Sequence, residues 1–389
     1  MMDLTVKHSI RALTIWASAC ILLLSAEGCH HQIEPDPTED VKLLCRVQYP
    51  TVDVNAELDD KLSSEKDRYI RQALEKYIEP IFYPTVGDID FSFFNQRQHG
   101  ERTFHKTDVM NASEKIFPLD IVASDYRFGG AANLSPNLTV SLTGGETEKE
   151  LLLQQVSGTS DPHRAGIFTF RGRSYIKKDG GVQEFTSALC MANAAAALIL
   201  NRDSCDVTGI SATFEGFADS FNVLDSLYSF DRNTVVNTDP IDLTSYYGDG
   251  EADATKSVWA YDITWTLWTR TPLMVCGASF PSRNFGSDVI DGKVVIWTIH
   301  LLVTLADGSI TRNDIFIGQP LQAGHLKIIK GWLLRDGSFT PTPPLVPQGG
   351  PSYEPGPDPP TPPSPGDETV VGVSVMLNWQ PGATYEHEL

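Results

Sequence analysis

From residue 117 to 340 the chain reads as short apolar-rich strand candidates separated by turn residues, several of them alternating, and this pattern leaves few folds open to it. Successive side chains of a strand point to opposite faces, so a period of two marks one face for a core. "FPLDIVAS" (117–124) and "NLTVSL" (137–142) come first, then "GIFTFRGRSYI" (166–176) with "KDGG" behind it. In "VWAYDITWTLW" (258–268) Trp259, Tyr261, Ile263, Trp265 and Leu267 share one face. "KVVIWTIHLLVTL" (293–305) and "ITRNDIFI" (310–317) flank "ADGS", whose Asp-Gly is a strong hairpin signal, and "HLKIIKGWLL" precedes another Asp-Gly at 336–337. Short strands spaced by turn residues predict an all-β chain of two antiparallel sandwiches.

Ahead of the strands, "VKLLCRVQY" is a further strand candidate, and Ser63 to Ile78 reads as a helix, the one convincing helix after the N-terminal apolar run. Tyr69, Ile70, Ala73, Leu74, Tyr77 and Ile78 recur at three and four; Ser64 with Asp67 offers a cap, and Pro80 an end.

The N-terminus carries charge at Lys7, His8 and Arg11 and then a run from Ala12 to Ala26, shorter than the about 20 residues that span a bilayer. This is the layout of a secretory signal. Gly28 before Cys29, with Ala26 three positions back, gives the pattern of a bacterial lipoprotein signal, although Glu27 stands where a small neutral residue is usual. Cys29 is therefore the expected lipid-attachment residue; Cys20 would leave "ILLLSA" on the mature end. Residues 1–28 are read as the signal and 29–40 as a polar tether. Residues 41–176 are read as an N-terminal sandwich carrying helix 63–78, and 177–340 as a C-terminal one. A formal charge of −20 argues against a nucleic-acid partner, which needs clustered Lys and Arg. Cys190 and Cys205 could bridge, but each sits in or beside an apolar run, and the reading is of buried free thiols.

Residues 341–365 hold 12 of the 25 prolines and predict an extended Pro-rich linker, 341–366. Behind it, in 367–389, "VVGVSVMLNW" places Val371, Val373, Val375, Leu377 and Trp379 on one face. A lone strand is unstable in water and must pair with a sheet edge of its own chain or of a partner subunit.

Neither a phosphate loop, a zinc-protease helix, a serine elbow nor an EF-hand loop occurs, so no catalytic residue, metal or cofactor is expected. His30 and His31, the trio His99, Glu101 and His105, and the acidic turn Asp249, Glu251 and Asp253 read as solvated polar groups. Trp259 and Trp265 read as core residues, which leaves Trp268, on the opposite face, as the candidate for glycan contact.

"FPLDIVASDYRFGGAANLS" (117–135), "DPHRAGIFTFRG" (161–172), "FTSALCMANAAAALIL" (185–200), "VTGISATFEGFADSFNVLDSLYSF", "GQPLQAGHLKIIKG" and "VGVSVMLNWQPG" follow one another behind the lipoprotein cysteine. In that order they resemble the fimbrial anchor and minor-subunit lipoproteins of the Bacteroides-type fimbrillin superfamily, or related Bacteroides lipoproteins of unassigned role. The Pro-rich linker and the helix depart from that pattern. The resemblance implies transthyretin-like sandwiches, a lipid anchor in the outer membrane, fimbrial or other surface subunits as partners, and attachment or assembly rather than catalysis. The alternative is a surface glycan-binding lipoprotein; a hydrolase would need converging carboxylates.

Overall fold

Trp297, Ile299, Leu301 and Val303 are buried on one side of strand β20 (Trp297–Leu305), while Thr298, His300 and Leu302 face outward, so the sequence period becomes a sheet with one core face. The computed structural model describes residues 38–342, apart from 48–50, 65–66, 111–115, 145, 157–158, 178–182, 203–206, 232–233, 239, 242–271, 287 and 291, together with 371–377. A six-stranded sheet runs β24 (Val371–Leu377), β21 (Ile310–Ile317), β20, β12 (Val207–Phe217), β15 (Thr234–Thr238) and β8 (Thr159–Ser160). Facing it is a five-stranded sheet of β16 (Pro240–Ile241), β17 (Leu273–Ser279), β11 (Ala194–Arg202), β22 (Leu326–Leu333) and β23 (Phe339–Thr340). Between them Leu198, Val275, Ile329, Phe214, Trp297 and Ile315 form one core.

The other face of the five-stranded sheet is covered as well. Ala195, Ala197, Ile199, Cys276 and Ile328 join a second core with two helices and one face of a seven-stranded sheet. That sheet runs β3 (Glu101–Val109), β2 (Asp88–Asn95), β5 (Asp125–Ala132), β9 (Phe168–Tyr175), β10 (Gln183–Met191), β1 (Thr38–Val47) and β4 (Ile116–Val122). A four-stranded sheet, β14 (Leu227–Ser229), β13 (Ser220–Asn222), β7 (Leu152–Gln155) and β6 (Val140–Thr143), closes a third core over the opposite face with Phe94, Phe221 and Phe280. A small hairpin joins β18 (Asp288–Ile290) to β19 (Lys293–Val295). The chain is an all-β sandwich fold with mostly antiparallel pairing, but β1 with β10, β11 with β22, β15 with β8 and β21 with β24 run parallel. With both faces covered, β11 is buried from Ala194 to Leu200, which is why it reads as an unbroken apolar run rather than an alternation.

Two helices replace the single one expected. Helix α1 (Thr51–Lys61) buries Val54 and Leu58, continued by Leu62, among its described side chains. Its Glu57 Oε1 accepts the Ile328 backbone N–H at 2.8 Å, so the helix closes part of an otherwise open sheet edge. Helix α2 (Arg68–Phe82) begins at Asp67, bonded by Ser64 Oγ at 2.7 Å, and holds Pro80 within it instead of stopping there. The continuation buries Ile81 and Phe82 completely, at about 1.5–3 kcal/mol each, which offsets the roughly 3 kcal/mol cost of an interior proline. Tyr77 Oη fastens the helix to the Cys276 carbonyl at 2.9 Å.

Candidate functional site at the edge of the six-stranded sheet

Strand β24 lies at the end of the six-stranded sheet, parallel to β21 in a register from Thr311↔Val371 to Ile317↔Leu377. Its partner is held from other directions too. β21 pairs antiparallel with β20 from Thr304↔Ile310 to Trp297↔Ile317. Buried Asn313 donates Nδ2 to the Gly337 carbonyl at 3.0 Å and accepts the Phe339 N–H at 2.7 Å. Thr311 Oγ1 donates to the Asp336 carbonyl at 2.5 Å. Ser338 donates its hydroxyl to Asp336 Oδ1 at 2.6 Å, and this bond, helped by the Ser338 N–H, holds the Asp336 carboxyl below its ordinary range. The edge that receives β24 is thus fixed by contacts that do not involve β24.

On the outer face of the same sheet three strands bring charged groups together. His300 stands opposite Asp314 on β21 and Thr213 on β12. Its Nδ1 lies 2.6 Å from Asp314 Oδ1 and its Nε2 2.7 Å from Glu215 Oε2. The ring thus bridges the two carboxylates, one at each nitrogen, and clamps three neighbouring strands. Arg312 Nε adds a contact to Asp314 at 3.4 Å. Glu215 precedes a bulge in the β12–β15 pairing where Gly216 has φ +100, and a Cβ there would meet the Ile296 carbonyl at 3.0 Å. Beside it opens a cleft of about 120 Å³ lined in part by Glu215, Phe217, Arg283, Asp288, Trp297 and Thr298. Among the described residues no three His, Cys, Asp or Glu side chains are placed to hold a metal ion. The arrangement can cross-link strands and present charge to a partner.

Val371, Val373, Val375 and Leu377 all fall in β24, opposite Thr311, Asn313, Ile315 and Ile317, the buried side of β21. Cys29, Trp268, Trp379, His30, His31, Cys205 and the 249–253 turn lie outside the described residues. His105 Nε2 meets Asp90 Oδ1 at 2.8 Å, whereas His99 occupies a left-handed turn position at φ 58. Cys190 and Cys276 are free thiols; Cys276 is buried, whereas Cys190, read from the sequence as a buried thiol, is exposed on β10. Burial pushes the Cys276 thiol up. The His300 clamp was missed by sequence reasoning; its signal was only a polar residue on the outward phase of two apolar strands.

No protein-family profile matches the chain, and no curated protein matches it in sequence. Solved structures do resemble it. A candidate cell-adhesion protein from Bacteroides eggerthii superposes with a TM-score of 0.43 at 12% identity, covering 80% of this chain and 94% of its own. A candidate adhesin from Bacteroides thetaiotaomicron gives 0.43 at 11%, covering 79% and 95%. The fimbrial anchor protein Mfa2 from Porphyromonas gingivalis gives 0.40 at 8%, covering 76% and 90%. Likenesses this distant carry no argument about role, and the functional reading rests on the chain's own features.

Proposed function

We propose that the chain is a membrane-anchored, fimbria-associated lipoprotein that works by protein contact at the outer membrane, not by catalysis. In this reading Cys29 carries the lipid, residues 30–40 give reach, and the β21 edge accepts or donates a strand in assembly with fimbrial or other surface subunits. More than one acyl chain is needed for durable anchoring. The supporting observation is the pairing of β24, a terminal strand placed after a segment with 12 prolines and laid on an edge already fixed from its other side. An equivalent strand from another subunit would make the same backbone pairs, so exchange costs little beyond the loss of effective concentration that the linker provides.

The test is a photo-crosslinker at Val375 in the lipidated protein on intact cells. Capture of fimbrillin-like subunits is expected; crosslinks confined to the chain itself would rule out strand addition. For the anchor, Cys29→Ala should move the protein from membranes into the soluble fraction, and retention on membranes would refute lipid attachment there.

A further inference from the structure

Phe285 is 88% exposed, Val289 64% and Val294 47%, three bare apolar side chains on and beside the short β18–β19 hairpin. Val289 and Val294 stand directly opposite each other in its register. Gly286 packs on the same hairpin: a Cβ there would run into the Val295 carbonyl and lie 2.7 Å from Val294 Cγ1, which sets Phe285 beside the valine pair. The three form one apolar tip, and a contiguous exposed apolar patch is what a contact surface presents.

The tip stands at the end of the sheet toward which β24 points. Ile296, between β19 and β20, donates its N–H to the Ile317 carbonyl at 2.8 Å, and a Cβ on Gly318 would meet the Val294 carbonyl at 2.9 Å. Ile317 is the residue opposite Leu377, the last of β24. Because β24 runs parallel to β21, its chain leaves the sheet beside Gly318 and the tip; the reverse direction would release it at Thr311, about 20 Å away. Residues 378–389, "NWQPGATYEHEL", follow Leu377 and lie outside the described residues. Trp379 comes two steps after Leu377, about 7 Å of chain, and two strand spacings, about 10 Å, separate the β24 and β20 tracks. The segment 242–271, also outside the described residues, is tethered elsewhere: Ile241 pairs with Met274 near the start of β17, whereas the tip follows the Ser279 end, where Phe217 bridges Ser282.

We propose that Trp379 docks on the tip formed by Phe285, Val289 and Val294 of its own chain and so latches β24 to β21. The indole covers apolar surface that is otherwise bare, and it fixes the direction and register of a strand whose alternation is the same either way. The latch rests on the β24–β21 pairing and not on exchange between subunits, so it stands or falls apart from strand addition.

The experiment uses the purified full chain carrying Cys29→Ala, so that no lipid is attached, with the photo-crosslinker benzoylphenylalanine in place of Trp379 and isotope-labelled and unlabelled copies mixed. Light should yield an adduct within one copy to the segment 285–294. Adducts to another segment, adducts joining a labelled to an unlabelled copy, or no adduct at all overturn the proposal. Val289→Glu with Val294→Lys turns a pair already exposed into a cross-strand ion pair, so the circular dichroism spectrum should not change while the adduct is lost. In that variant and in Trp379→Ala, hydrogen exchange at the 371–377 amides should quicken about tenfold, the effect of returning roughly 60 Å² of apolar surface to water. Exchange equal to the parent's in both variants overturns the latch. Capture of other subunits through Val375 is a separate readout, so failure of strand addition and failure of the latch are distinguishable.

Discussion

His163 is the group by which acid should weaken this fold. Its backbone N–H donates to the Ala278 carbonyl at 2.8 Å, and its ring stands edge-on to Phe280 with centroids 5.1 Å apart. Among the described residues neither ring nitrogen has a hydrogen-bond partner, and burial drives the imidazole pKa from 6.5 down to about 3. The unfolded chain therefore takes up a proton below pH 6.5 that the folded chain refuses until near pH 3, so the stability contribution is complete above that window and is lost as pH falls through it. At about 1.4 kcal/mol per unit, lowering the pH from about 6.5 to about 5 removes roughly 2 kcal/mol. His163→Leu removes the titrating group and two unbonded nitrogens, so the variant should equal or exceed the parent at neutral pH. Urea unfolding followed by tryptophan fluorescence at about pH 7.5 and about pH 5 should show the stability difference widening by roughly 2 kcal/mol in favour of the variant. Other titrating groups are common to both chains and cancel. If parent and variant lose equal stability over that interval, His163 is not held neutral in the fold and the reasoning fails.

Glu57→Ala leaves the Ile328 N–H without its acceptor and should cost about 1–3 kcal/mol, with faster hydrogen exchange at Ile328 while amides in the seven-stranded sheet stay protected. Gly331→Ala puts a Cβ 2.0 Å from the Phe339 ring, and overpacking of about 1–3 kcal/mol should lower the Tm, with partial recovery when Phe339→Leu is added. His300→Leu leaves Asp314 and Glu215 facing one another on a partly exposed face; the expected loss is about 1 kcal/mol, shrinking in high salt, and a loss indifferent to salt would contradict the ionic account.

The β20–β21 hairpin could be read from sequence because two apolar-rich strand segments flank an Asp-Gly turn, whose Gly308 adopts φ +84, a conformation cheap only for glycine. Helix α1 could not, since Val52, Val54, Ala56 and Leu58 fall at every second position among acids and so carry no helical period, and packing against β22 rather than intrinsic amphipathicity holds it. Pro80 misled for a related reason: local rules end a helix there, and the burial of Ile81 and Phe82 is visible only in the tertiary structure. The His300 clamp joins Glu215 to a residue 85 positions away through strand register, which no local window contains. The β24 edge position was legible as a need for a partner, but its parallel direction was not, because alternation is the same in either direction.

The parallel pairing of β1 with β10 also governs the order in which the chain can assemble. Val41 leaves the ribosome early, yet Gln183, opposite it, is made only after β2 to β9. β1 can zip first onto β4, through Leu43↔Phe117, and must keep its second edge unpaired until the late strand arrives. A fragment ending before Gln183 therefore lacks β10, the bridge between β9 and β1, and leaves the seven-stranded sheet in two parts. Such non-local closure makes for slow folding and a long-lived open edge, so expression of the N-terminal half alone should give aggregates in which that edge finds substitutes in other copies.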